Sequence, residues 1–277
     1  MAQPLVDLRK LVREGRSDAP GRLIDVCGRI GLVGYGVVHL LVAWLALQIA
    51  FDVPDAPADA GGAVGTVART PLGVAALVLA AIGLIAFALW QVAAAAVGFR
   101  WVDGGERVRK RAGAIAKAVA MTGLAAVVVN YLTGVGTGGE ATIQELAAGL
   151  LRLPAGRLLL ALAAVLILVL AGAMTYTGVR RTFMGDLDVR RLSPATCRVI
   201  EVAGVAGHLS RALALAVVGM LAGTAALFSD PGRAGGLDAA LRTLGATALG
   251  KGLLVLVAVG FVAFGIFCFA DAATRRA

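Results

Sequence analysis

Residues 156–179 read GRLLLALAAVLILVLAGAMTYTGV, and from Leu158 to Val179 no residue carries a charge. A helix rises about 1.5 Å per residue, so this uncharged run is about 33 Å long, enough to cross the roughly 30 Å hydrocarbon core of a bilayer. Outward from it, similar stretches occur at 30–51, 74–97, 113–132, 209–228 and 253–269. None shows the strict alternation of a membrane β-strand, so helices must satisfy the backbone groups. The sequence therefore predicts an all-α integral membrane protein with six transmembrane helices.

The composition agrees. Of 277 residues, 59% are hydrophobic, 37 are glycine and only 16% are charged, against about 25% charged in a soluble domain. This excludes a soluble domain and a disordered chain, and three cysteines are too few for a disulfide scaffold. The net charge of +9 raises the question of nucleic acid. Twenty of the 26 Lys and Arg residues, however, fall in 1–29, 100–117, 180–211 and 275–276, on one side of the predicted spans. Arg69, Arg152, Arg157, Arg233, Arg242 and Lys251 fall on the other. By the positive-inside rule both termini are cytoplasmic and the partner is the lipid bilayer, not nucleic acid. Residues 1–28 contain no apolar core, so no cleavable signal peptide is expected. Leu5, Leu8, Leu11 and Val12, beside Arg9, Lys10 and Arg13, read either as a helix on the membrane surface or as a frayed tail. Cys27, Cys197 and Cys268 all lie at or near the reducing side, and no disulfide is expected.

Glycine positions reveal an internal repeat. Gly31, Gly113 and Gly207 open the odd-numbered spans and Gly73, Gly156 and Gly250 the even-numbered ones, at spacings of 42, 43 and 43 residues. Arg69, Pro71 and Gly73 match Arg152, Pro154 and Gly156, while Gly83 and Phe87 match Gly260 and Phe264. The unit is a helix, an outer loop and a second helix. The outer loops carry amphipathic segments, at Ile143, Leu146, Leu150 and Leu151 and at Leu237, Leu241 and Leu244. This predicts three tandem helical hairpins with pseudo-threefold repeat symmetry: an N-terminal segment at 1–28, a first repeat at 29–98, a linker and second repeat at 99–180, and a linker, third repeat and short tail at 181–277.

The repeat, with RIGLVGYGVVHLLVAWLAL at 29–47 and GKGLLVLVAVGFVAFG at 250–265, resembles the bacterial membrane-protein family Domain of Unknown Function twelve-hundred-six. The resemblance implies a six-helix protein of the bacterial plasma membrane and implies no activity, cofactor or site.

Polar residues inside a span are costly and so are candidates for function. Superposed, the repeats align Tyr35, Lys117 and Arg211 near the cytoplasmic end of the odd helices, and Gln48, Asn130 and Thr224 thirteen residues further on. The first column reads as snorkelling cations or as a site for lipid phosphate or a partner carboxylate. The second reads as interhelical hydrogen bonding or as a polar ring in an outer vestibule. His39 and His208 are the two histidines. Their offsets from the opening glycines place them about 10 Å apart in depth, too far for one haem iron, so both are expected to be packing residues. No metal cluster, dinucleotide fingerprint, phosphate loop or nucleophile elbow occurs in the sequence, and no cofactor is expected. The reading that follows is a non-enzymatic accessory or scaffold component beside other membrane subunits. The alternative is a small-solute or ion path along the pseudo-threefold axis, which requires the odd helices to surround that axis and the even ones to face lipid.

Overall fold

A backbone in lipid can satisfy its own N–H and C=O groups only within the segment, so the apolar stretches fold as helices. The computed structural model of the chain describes residues 8–52, 71–98, 103–133, 139–188, 190 and 192–274. The stretches lie in α1 (Leu8–Ala50), α2 (Pro71–Val97), α3 (Gly104–Thr133), α5 (Gly156–Arg180), α6 (Pro194–Phe228) and α8 (Ala248–Thr274). Two shorter helices, α4 (Gly139–Leu151) and α7 (Leu237–Gly245), occupy connections. No strand occurs among the described residues. Five helical segments there are long and apolar enough to cross a membrane: Gly28–Ala50, Leu77–Val97, Gly156–Arg180, Pro194–Phe228 and Ala248–Thr274. The expected span at 113–132 lies within α3.

The amphipathic stretch near Leu8 is not a separate surface helix, because α1 runs unbroken from Leu8 to Ala50; Leu5 lies outside the described residues. From Leu8 onward the helix-disfavouring residues are Pro20 and scattered glycines, and the helix continues past them although Pro20 donates no bond to the ladder. The loop helices stand where their apolar spacing placed them. In α7 Leu241 is buried and Leu244 half-buried, and in α4 Ile143, Leu150 and Leu151 are half-buried, whereas Leu146 and Leu237 are exposed.

The glycines that open even-numbered spans have a physical reason. A Cβ at Gly156 would lie 2.0 Å from the Leu150 carbonyl oxygen, and one at Gly250 would lie 1.8 Å from that of Leu244. In both repeats the short helix ends five residues earlier, and the carbonyl of its penultimate residue turns onto this position, which only glycine fits.

Extensive helix contacts run in the order α3, α2, α1, α8, α6, α5. This departs from the expectation that odd helices gather around an axis, because α8, an even-numbered span, sits between α1 and α6. Its two glycine faces permit this: Gly260 meets Ser210 of α6, and Gly265 meets Gly36 and Leu40 of α1. The C-terminal end of α8 is tied to α1 by Arg29, whose guanidinium donates to the carbonyls of Ala272 (3.0 Å) and Ala273 (3.3 Å), while the Asp188 amide donates to the Thr274 carbonyl (2.7 Å). These bonds satisfy the last carbonyls of α8. At the opposite end Lys251 pairs with Asp52, joining the start of α8 to the end of α1.

Candidate functional site

Close approach between helices creates the site. A Cβ at Gly31 would lie 2.4 Å from the Cβ of Phe87, and a Cβ at Gly207 would lie 2.5 Å from the Cβ of Phe264. One turn further, Gly34 faces Gly83, and Ser210 faces Gly260. The first and third hairpins are thus closed by the same lock, a phenylalanine seated on a glycine, at equivalent repeat positions. The second hairpin lacks it. Leu166 and Leu170 replace the glycine and phenylalanine, nothing lies within 4 Å of a Cβ at Gly113 or Gly123, and α3 packs on α2 while α5 packs on α6.

Phe264 is the hub of a polar cluster inside the helices. Tyr35 follows Gly31 by one turn and Arg211 follows Gly207 by one turn, so the two locks bring these repeat-equivalent residues together, and the Arg211 guanidinium donates to the Tyr35 hydroxyl. The guanidinium carbon also lies 4.2 Å from the centre of the Phe264 ring and 5.2 Å from that of Tyr35, favourable cation–π geometry at a half-buried position. His39 is buried, with its ring centre 4.7 Å from that of Phe264 and edge-on to Tyr35 at 4.4 Å. Its Nδ1–H donates to the Tyr35 carbonyl at 2.8 Å. The Nδ1–H of His208 donates likewise to the Gly204 carbonyl at 2.7 Å, and its ring centre lies 5.4 Å from that of Phe264. Both histidines therefore keep Nε2 free and pack on one phenylalanine.

Of the first polar column, Tyr35 and Arg211 meet directly. Lys117 on α3 is exposed and within electrostatic reach of His208. The second column is not drawn together by hydrogen bonds among the described residues: Gln48 is half-buried on α1, and the Thr224 hydroxyl donates to Leu221 of its own helix at 2.8 Å. The side chain of Asn130 lies outside the described residues. Cys197 and Cys268 form no disulfide among the described residues, and the side chain of Cys27 is outside the described set.

Phe183 was not foreseen. It belongs to the short 3-10 turn Thr182–Asp186 that follows α5, stacks on His208 at 5.0 Å with planes 7° apart, and fills the space above Gly204. The signal was available as a lone aromatic in the charged linker RRTFMGDLDVRR at 180–191. Phe183→Ala is expected to cost about 3 kcal/mol and to release the linker, read as faster trypsin cleavage at exposed Arg190; cleavage at the wild-type rate would show that the linker does not depend on this contact.

An uncharacterized protein of Bacillus subtilis (strain 168), YxxB, is 29% identical over 241 residues, covering 87% of each chain. No solved structure matches. A family model matches residues 30–98 and 206–275, the two hairpins closed by the glycine–phenylalanine lock, and leaves the open second hairpin unmatched. A multi-pass helical chain with this duplicated segment belongs to the family described as Domain of Unknown Function (DUF1206).

Proposed function

We propose that the protein is a non-enzymatic, polytopic membrane protein that serves as an accessory or scaffold component of a membrane assembly. In this reading it crosses the bacterial plasma membrane six times as three tandem hairpins related by a pseudo-threefold axis, with α3 as the third crossing and both termini cytoplasmic. One observation carries the proposal. Gly113, Ala116, Ala120 and Gly123 follow one another at spacings of three and four on one face of α3, and a Cβ at either glycine would meet nothing within 4 Å. The equivalent faces of α1 and α6 are covered by helices of the same chain. In a membrane such a small-residue face lets another helix approach closely, so the open hairpin supports docking of a helix from another subunit.

A solute path has less support: the Phe264 ring fills the space among Tyr35, His39, His208 and Arg211, and Thr224 spends its hydroxyl on its own helix. Purification from native membranes in a gentle detergent tests the scaffold reading. The wild-type protein should elute with a stoichiometric partner. Gly123→Leu should elute alone with an unchanged unfolding temperature, because the added side chain enters open space. A wild-type protein that repeatedly elutes alone, or a complex indifferent to Gly123→Leu, contradicts the proposal.

A further inference from the structure

Arg211 is a permanent charge within the apolar stretch 209–228 of α6, and its environment among the described residues leaves it without a paired carboxylate. A guanidinium has five N–H donors; the Tyr35 hydroxyl accepts from one nitrogen, and the Phe264 and Tyr35 rings take the flat face. No carboxylate pairs with Arg211 among the described residues. Because the Tyr35 oxygen accepts from Arg211, its own O–H proton remains available to donate. Lys117 of α3 is a second, exposed cation within electrostatic reach of His208. The rings that hold the guanidinium fix its plane, and a planar fork fixed in that way matches two oxygens of a phosphate better than a point charge does.

Depth selects the ligand further. Tyr35 lies six residues, about 9 Å, inward from Arg29 along α1, and helical side chains lean toward the amino end of their helix, so the Arg211 head tips toward the terminal end. That is the depth a lipid phosphate reaches when it is drawn slightly below its leaflet. We propose that Arg211, Tyr35 and Lys117 form a binding site for a phosphate group, entered from the open side between α3 and α5. This site lies on the same open side as the helix-docking face of α3 but does not depend on a docked helix, since it needs only the α1–α8–α6 lock and the ammonium of Lys117; the isolated protein therefore tests it apart from the scaffold reading.

Thermal unfolding of the full-length protein in phosphate-free maltoside micelles, titrated with dioctanoyl-phosphatidylglycerol, with inorganic phosphate or with succinate, tests the proposal. Phosphatidylglycerol should raise the unfolding temperature saturably, with affinity weakened about tenfold in Arg211→Gln, the scale expected for one charge-assisted contact. Lys117→Gln should weaken it several-fold, and Arg233→Gln, an exposed cation resting on Phe228, should leave it unchanged. Stabilisation by the lipid alone assigns the headgroup as the source; equal stabilisation by inorganic phosphate assigns a soluble phosphate. If Arg211→Gln fails to fold, Lys117→Gln decides the matter, because that side chain is exposed. The proposal is overturned if neither phosphate compound stabilises the wild type, if succinate alone does, or if folded Lys117→Gln and Arg211→Gln both bind as the wild type does.

Discussion

Gly207→Leu is expected to unfold the third hairpin, lowering stability by about 3 kcal/mol or more. A Cβ alone would stand 2.5 Å from the Phe264 Cβ and 2.7 Å from its Cα, and the second of these is backbone that cannot rotate away. Overpacking of this kind costs about 1–3 kcal/mol when side chains can yield, and here α6 and α8 must separate. Gly31→Leu should behave alike against Phe87, whereas Gly113→Leu, at the equivalent position of the open hairpin, should stay within about 0.5 kcal/mol of wild type. Reversible unfolding in mixed micelles reads all three. A Gly207→Leu protein as stable as the wild type, or a Gly113→Leu protein as damaged as Gly207→Leu, contradicts the lock.

Phe264→Ala carries the second large effect, about 4 kcal/mol, within the range for removing a buried phenylalanine. The ring touches Tyr35, His39, His208 and Phe267 and bears the Arg211 cation, so its loss opens a cavity and also exposes the charge to apolar walls. Phe87→Ala should cost about 1 kcal/mol less, because Phe87 stacks on Tyr35 and Trp90 without a cation over it. Phe264→Leu should fall between wild type and alanine, since it restores volume but not the ring face. Unfolding of both alanine variants alongside wild type would show that the cluster is not a packing centre.

Much of this architecture is legible in the sequence because lipid leaves few choices. Uncharged runs of about 20 residues must be helices, and the loop helices follow from the spacing of Ile143, Leu150 and Leu241. The glycine register is legible too, and its causes, the carbonyls of Leu150 and Leu244 and the Cα and Cβ atoms of Phe87 and Phe264, become visible only in three dimensions. Closure of the bundle is not legible from glycine spacing. It depends on what faces the glycine, and Leu166 and Leu170 cannot enter as Gly83 and Phe87 do, so a nearly constant glycine spacing of 42 or 43 residues within each unit hides an open hairpin. The pairing of Tyr35 with Arg211 spans 176 residues between hairpins that are not consecutive, and alignment of the repeats places the two at one depth without saying that they touch. Phe183 escapes for another reason, since a linker residue obeys no helical period.

An electron cryomicroscopy map of the protein in a lipid nanodisc tests the central claim, that two hairpins are closed by a phenylalanine on a glycine while the middle one stays open. The account predicts α8 between α1 and α6 with Phe264 seated on Gly207, and a gap between α3 and α5 holding density that is not part of this chain. A closed ring in which α5 packs on α3 and Leu170 covers Gly113 would contradict it.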